Sequence, residues 1–429
     1  MEHVKRIAVV VMAVLGICWS NTFAGEVDIL LQKLVEKGVL TEGEAQQIST
    51  ETREEARKEI IQGTHEVLPK WLQTTKFGGD LRLRYQGETT TGSKHRDRGR
   101  FRLRYGFDTK PNDQMKIGFR MATGENKSGG GPEQTSTNQT FTNTFQNKHV
   151  WIDRAFIEYT PFSMTDMFLL KDMALVGGKF PNPFWTTDMV WDSDINPEGG
   201  AVKFTPVIGG IKAFLTFGFL PLGESSSDSN DPKIYAGQLG VEPKIMGRSS
   251  KFAVALYSCD NIKGMAWNTY SPNYTPKINN TLDGTNLKYD YDIVEFNAQY
   301  SPLDIALFGS ELPLELQFSY ASNEATRSAG ETDAWLAGLK LGKAKDKGTY
   351  ELYYNYREIG RDAVYAVLND SDFHGGGTAA KGHKFGGAYQ ILPNSTLGLN
   401  YLRTTPYKVV PTSSTNKIDL WQVDWITKF

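Results

Sequence analysis

Residues 417–429, KIDLWQVDWITKF, restrict what this chain can fold into more than any other stretch. Trp421, Val423, Trp425, Thr427 and Phe429 fall on alternate positions, with Leu420, Gln422, Asp424, Ile426 and Lys428 between them. A repeat of two is a strand with one apolar and one wet face. The edge strand of a soluble sandwich has little use for two tryptophans and a terminal phenylalanine on one side. A strand whose outer face meets lipid, with an aromatic girdle at its ends, needs them.

The same period recurs from Phe77 onward. Leu81, Leu83 and Tyr85 alternate with Asp80, Arg82 and Arg84; Phe101, Leu103, Tyr105 and Phe107 alternate with Arg100, Arg102 and Arg104. Met115, Ile117, Phe119 and Met121 alternate with Lys116, Gly118 and Arg120. Further alternating runs lie at 211–219, 252–256, 314–320 and 350–356. Weaker ones lie near 150–159, 174–180, 200–206, 234–241, 292–300, 334–341, 385–391 and 397–403. These are about sixteen segments of about ten residues, the length a tilted strand needs to cross the hydrocarbon layer.

The connections alternate in length. Links at 109–113, 206–210, 247–249, 343–348 and 392–395 are tight and rich in Gly, Pro, Asn and Asp. Links at 87–99, 124–148, 181–199, 221–232, 260–288, 322–332, 359–380 and 404–416 are long and read as polar. Two others, 160–171 and 303–311, are longer than a tight turn should be and leave the register open there. Short turns on one rim and long loops on the other are a barrel rule. The expected fold is all-β: a transmembrane antiparallel up-and-down β-barrel of about 16 strands over 73–429, with a short N-terminal α-helical segment.

A mean hydropathy of −0.41 would suit a soluble protein, but barrel strands turn only every second residue to lipid. No run of about 18 apolar residues offers a helical span. A formal net charge of −2 argues against a nucleic-acid partner. With 42 Gly in 429 residues and 12% aromatics, the composition suits a turn-rich β protein.

Residues 1–24 read as a signal peptide: Lys5 and Arg6, an apolar run from Ile7 to Ile17, then small residues around Ala24. Cys18 is flanked by bulky Ile17 and Trp19, which disfavours a lipid-modified start. Its removal would leave Cys259 without an intrachain partner. Residues 25–72 carry an apolar stripe at Val27, Leu30, Leu31, Leu34 and Val35, a Gly38 stop, and a Thr41/Glu44 capping box. They are expected to form a periplasmic helical segment, either a hairpin on the barrel mouth or a self-associating coil.

The link after the fifth strand, GGKFPNPFWTTDMVWDSDINPEGGA (177–201), is unlike a solvated loop. Phe184, Trp185, Met189, Val190 and Trp191 need cover, and the lumen is the nearest place. Asp188, Asp192, Asp194 and Glu198 would then stand in the pore as an acidic loop. Arg82, Arg84, Arg100, Arg102, Arg104, Lys116 and Arg120 would face them as a basic wall, tolerable only where water hydrates them. Opposed rings of charge create a transverse field that selects ions. Asp80 and Asp108 offer some of these cations a plainer role in cross-strand pairs.

No chemistry beyond transport is legible. Asp192-Ser193-Asp194 opens like a calcium loop, but Pro197 stands where Gly is needed and Lys203 where Glu is needed. The six His show no metal-ligand spacing, and no nucleophile elbow, phosphate loop or haem motif occurs. No enzyme, cofactor or metal is expected.

The helical prefix VDILLQKLVEKGVLTEGEAQQI, the 177–201 segment and the aromatic carboxy terminus together resemble the bacterial outer-membrane porins, more narrowly the putative porins. The resemblance spans the whole mature chain. It implies a water-filled channel in the cell outer membrane of a Gram-negative bacterium, passing small hydrophilic solutes and ions through a homotrimer embedded in outer-membrane lipid. It makes Trp421, Val423, Trp425 and Phe429 the signal read during membrane insertion, and 181–199, the third external link, an inward-folded constriction. The Lys-rich lumen of phosphate-selective relatives is missing beyond the early strands, so anion specificity is not implied. Two other functions share the fold: a sheath holding an electron-carrying cytochrome, and a channel specific for one solute.

Overall fold

The computed structural model describes residues 31–54 apart from 32 and 53, 69–126, 131–161 apart from 143, 172–266 apart from 225, 227 and 228, 279–407 apart from 308, and 416–429. The signal reading of 1–24, with Val27 and Leu30 of the helical stripe, lies outside these residues. The chain divides into two units, Met1–Thr74 and Thr75–Phe429.

In the first unit, residues 33–36 and 42–52 are helical, as is the short segment Lys70–Gln73. Gly38, at φ +68°, ends the first helix, its N–H bonding Val35 O at 2.9 Å. The capping box forms: Thr41 N–H donates to Glu44 Oε2 (2.9 Å) and Glu44 N–H to Thr41 Oγ1 (3.3 Å).

In the second unit, sixteen strands among the described residues form one closed wall. They are β1 (Lys76–Thr90), β2 (Arg96–Asn112), β3 (Met115–Thr123), β4 (Val150–Tyr159), β5 (Ala174–Lys179), β6 (Glu198–Phe204), β7 (Ile211–Pro221) and β8 (Lys233–Glu242). The rest are β9 (Arg248–Asp260), β10 (Tyr291–Tyr300), β11 (Ser310–Asn323), β12 (Asp333–Gly342), β13 (Tyr350–Ile359), β14 (Ala380–Leu392), β15 (Ser395–Pro406) and β16 (Ile418–Lys428). Each pairs antiparallel with the next, and β16 returns to β1 in the register Asp80↔Lys428 through Thr90↔Ile418. Closure pairs the N–H and C=O groups that an open edge would leave bare, which a lipid-spanning sheet requires. Phe429 extends that seam: its N–H bonds Gly79 O (3.1 Å) and Gly79 N–H bonds Phe429 O (2.9 Å). A Cβ at position 79 would run into the Arg104 carbonyl oxygen and stand 2.9 Å from Phe429 Cζ, so glycine lets the neighbouring backbone and the terminal ring approach here.

The burial pattern is inverted relative to a soluble protein. On β16, Trp421, Val423 and Trp425 are 45–50% exposed, while Gln422 and Asp424 are 2% and 4%. The apolar face points out and the polar face points in. Aromatics form rows near both rims, as a girdle requires. Tyr401 stacks on Trp421 (4.1 Å) and Trp335 meets Tyr356 (5.4 Å) toward the long-link rim; Phe107 lies between Phe77 (6.0 Å) and Phe119 (5.7 Å) toward the short-turn rim.

Two links differ from the sequence reading. The expected long link at 87–99 is mostly strand: β1 runs to Thr90 and β2 starts at Arg96, because pairs such as Arg98–Glu88 (2.9 Å) carry the ladder beyond the apolar band. The link at 303–311 is a hairpin, with Asp304–Leu307 folding back on Ser310–Pro313. The link at 160–171 lies mostly outside the described residues.

The inner face is not uniformly polar. Toward the long-link rim, inward residues turn apolar (Leu220, Ile234, Tyr257, Ile293, Leu336, Ile359) and pack into one core with Phe184, Met189, Val190 and Trp191, and with residues 363–368 and Phe373. Each such side chain contributes roughly 1.5–3 kcal/mol on burial. The links 181–197 and 360–379 therefore fold inside the wall and fill part of its bore, and Thr135 and Asn138 of the 124–148 link reach the same interior.

Candidate pore constriction

Two glycine pairs turn the first of these links inward. Gly178 and Gly199 face each other where β5 meets β6, at φ +116° and +126°, values that L side chains rarely adopt. A Cβ on Gly178 would also come within 3.0 Å of Phe156 Cα. The GG doublets that frame the segment in the sequence are thus where its backbone leaves the wall.

From there residues 181–197 cross to the far strands. Trp185 N–H donates to Gln238 Oε1 (2.8 Å) on β8, Gln238 Nε2 donates to Trp185 O (2.8 Å), and Asn297 Nδ2 on β10 donates to the same carbonyl (3.2 Å). Thr186 Oγ1 donates to Glu295 on β10 (2.9 Å), and Thr187 Oγ1 to Ser319 on β11 (3.4 Å). Asp188 reaches Lys384 on β14 (3.5 Å). At the near end, Asn196 accepts from Arg154 Nε (2.7 Å) and donates to Asp153 (2.8 Å), both on β4.

The second inward link is 360–379. Asp192 N–H donates to Leu368 O (2.6 Å), and Asp370 N–H donates to Asp188 O (3.0 Å), tying the two together. Arg357 on β13, almost fully buried, holds Asp370 at 2.5 Å and covers the Phe373 ring at 3.9 Å. Nothing in the sequence reading used this link. The rule that singled out 181–199 would have found it, since Ala363-Val364-Tyr365-Ala366-Val367-Leu368 is an equally apolar run.

The expected basic residues reach the lumen face, but mostly in pairs. Arg84 forks onto Asp424 (2.7 and 2.8 Å) and lies 3.4 Å from Asp372. Arg102 and Arg104 share Asp80 (2.7 and 2.6 Å) and both stand 3.9 Å from Asp194. Arg100 donates to Gln86 (3.1 Å) and lies 4.0 Å from Glu125. Arg120 pairs with Asp153, and Lys116 with Asp108 (3.4 Å), apart from the others. Of the seven, Arg82 alone among the described residues forms no ion pair. The wall is therefore an alternation of charges rather than a field of one sign. Asp80 and Asp108 take the cross-strand role noted above, joined by Asp153 and Asp424.

Of the acidic residues, Asp188, Asp192 and Asp194 line a polar void of roughly 160 Å³ against Arg82, Arg84 and Arg102. Glu198 is not among them; it opens β6 and pairs with Lys179 at 3.0 Å. Asp370, Asp372 and Lys384, absent from the sequence reading, also line it, as does Gln422 of the last strand. Burial, with Asp194 and Asp370 nearby, pushes the Asp192 carboxyl well above its ordinary value. Burial also opposes ionisation of Asp372, but Arg84, a hydrogen bond from Gln422 (2.9 Å) and Arg100 outweigh it and hold Asp372 at about 2. Among the described residues no cluster of His, Cys, Asp and Glu could hold a metal ion.

A closed antiparallel barrel with an apolar exterior and a charged bore is a transmembrane β-barrel channel. The sequence matches the family described as putative porin over residues 89–290 and 284–429, and the chain belongs to that family. Its fold is similar to the high-pH structure of OprB from Pseudomonas putida, at 11% identity over 83% of this chain and 94% of that one, with a TM-score of 0.52. A Rhodopseudomonas blastica porin, as a triple mutant, aligns at 11% identity over 83% of this chain and 100% of its own, with a TM-score of 0.44. No protein of curated function matches the sequence.

Proposed function

We propose that this porin is a passive diffusion channel of the outer membrane for small hydrophilic solutes and ions, with 181–199 as its constriction. The observation that carries this reading is the bonding of Trp185, Thr186 and Thr187 to the far strands while Asp192 and Asp194 face the Arg82–Arg102 wall. A loop so anchored narrows the bore and puts both signs of charge beside it. Residues 360–379 narrow it further. Such obstruction favours diffusion over the cytochrome sheath, which needs a clear bore. Under this reading the long-link rim faces outside, 25–72 lies in the periplasm, 1–24 directs export, and 421–429 guides insertion. Assembly is proposed as a homotrimer, and sedimentation in detergent at three protomer masses is the expected result.

The test is planar-bilayer conductance of purified, partner-free protein. Stepwise current that scales with salt conductivity is expected. Its absence would discard the channel in favour of the sheath.

A further inference from the structure

We propose that the polar void beside the constriction is a subsite for small zwitterions, molecules such as free α-amino acids whose carboxylate and ammonium lie a few ångströms apart. This rests on the channel reading above and names the solute class that its narrowest part retains.

The argument begins with the register. Arg82 lies directly across the ladder from Arg102, and Arg84 from Arg100, so two like-charged pairs sit side by side. Cross-strand pairs of one sign destabilise a sheet unless something answers them. Asp80 answers Arg102, Asp424 and Asp372 answer Arg84, and Gln86 with Glu125 answers Arg100. Arg82 forms no ion pair among the described residues, and Asp424 and Asp194 act on it only from beyond pairing distance. It is 8% exposed, it donates to Asn138 Oδ1 at 2.6 Å, and its buried Nε has no acceptor. A guanidinium held this far from bulk water without an ion pair is costly, and it lines the void.

Asp192 is the opposite case on the same void. Its oxygens accept the N–H groups of Asp194 (2.8 Å) and Ser371 (3.0 Å), and it pairs with no cation among the described residues. The charges that act on it most are two more carboxylates, Asp194 and Asp370. One guanidinium lacks an ion pair and one carboxyl lacks a cation that would favour its ionised form, with roughly 160 Å³ of space on which both border. A carboxylate on Arg82 can take two N–H bonds in the planar fork geometry that guanidinium favours, and an ammonium near Asp192 supplies three donors. A lone anion leaves Asp192 unanswered, a lone cation leaves Arg82, and a neutral polyol answers neither charge. Retention must be weak for transport to continue.

The experiment uses the full chain in planar bilayers at neutral pH, with open-channel current in KCl as reference. L-Alanine, propionate, propylammonium and glycerol are added in turn, and the half-blocking concentration of each is read. Alanine is expected to block at least about tenfold below propionate and propylammonium, with glycerol weakest. Arg82→Gln and Asp192→Asn are each expected to raise the alanine value about tenfold. Arg248→Gln, which removes an exposed pair with Asp304 far from the void, should leave it unchanged. If alanine blocks no better than either single-charge analogue in the unsubstituted protein, the subsite is wrong, whatever the variants do. Indifference of alanine block to both lumen substitutions also overturns it. Absence of any current fails the channel reading itself.

Discussion

Replacing Gln238 by Leu should loosen the crossing of residues 181–197 without touching the barrel. Gln238 is buried, and its amide clamps both polar atoms of the Trp185 peptide, accepting from its N–H and donating to its C=O at 2.8 Å each. Leu keeps the volume and removes both bonds. The carbonyl retains Asn297 at 3.2 Å, but the N–H is orphaned. Losing the bond to the carbonyl, which Asn297 still satisfies, costs about 1 kcal/mol and orphaning the buried N–H costs about 1–3 kcal/mol, so the docked state loses roughly 2–4 kcal/mol. At about 1.4 kcal/mol per decade, the undocked fraction rises by a factor on the order of 30 to 1,000. Phe184, Met189, Val190 and Trp191, with the Thr186–Glu295 bond, still favour docking, so the undocked form stays a minority. Chymotrypsin added to proteoliposomes reads that minority, because cleavage follows the open population when reclosing is fast. Fragments ending at Phe184, Trp185 or Trp191 should appear at least about tenfold faster than in the unsubstituted protein, while heat resistance of the barrel is unchanged. Cleavage there within about twofold of the parent would refute the anchoring argument.

Other outcomes follow from the same geometry. Val423→Arg puts a charge on the lipid face of β16 and should cost about 2–4 kcal/mol in folding into vesicles, against about 0.5 kcal/mol or less for a solvated surface; denaturant titration of vesicle-inserted protein measures it. Neutralising Arg102 and Arg104 together leaves Asp80 and Asp194 uncompensated. A charge about 4 Å from a passing ion is worth about 1 kcal/mol in water, so cation preference should rise about fivefold, and an unchanged reversal potential in a salt gradient would count against it. As pH falls toward 3.8, Asp192, whose carboxyl is raised above that value, takes a proton while Asp372, held at about 2, does not. Current should shift toward anions over that range, and the shift should vanish in Asp192→Asn. The linked stability terms oppose each other. The raised Asp192 contributes stability that is complete below pH 3.8 and lost as pH rises through its folded value. The depressed Asp372 contributes stability present above 3.8 and lost as pH falls through about 2.

The wall was legible because its cause is local. Lipid on one side and water on the other impose a period of two, and Leu81/Arg82/Leu83/Arg84 or Trp421/Gln422/Val423/Asp424 spell it directly. The turning inward of 181–199 was legible from apolar residues with no local partner. What the sequence hid was pairing across space. Asp424 is 340 residues from the Arg84 it holds, and Asp372 is 288 away. Periodicity gives the face of each residue but not the register between distant strands, so a lattice of matched charges read as a basic wall. Residues 363–368 carry the same apolar signal as 184–191, so their turning inward also has a local cause.

Ser193 is exposed to the void between Asp192 and Asp194, so Ser193→Cys places a thiol on the proposed conduction path, while native Cys259 is buried. Adding an anionic methanethiosulfonate to a single open channel of this variant should lower its current in discrete steps, with no effect on the unsubstituted protein. Full labelling of the introduced thiol with conductance unchanged would mean that residues 181–199 do not border the aqueous path.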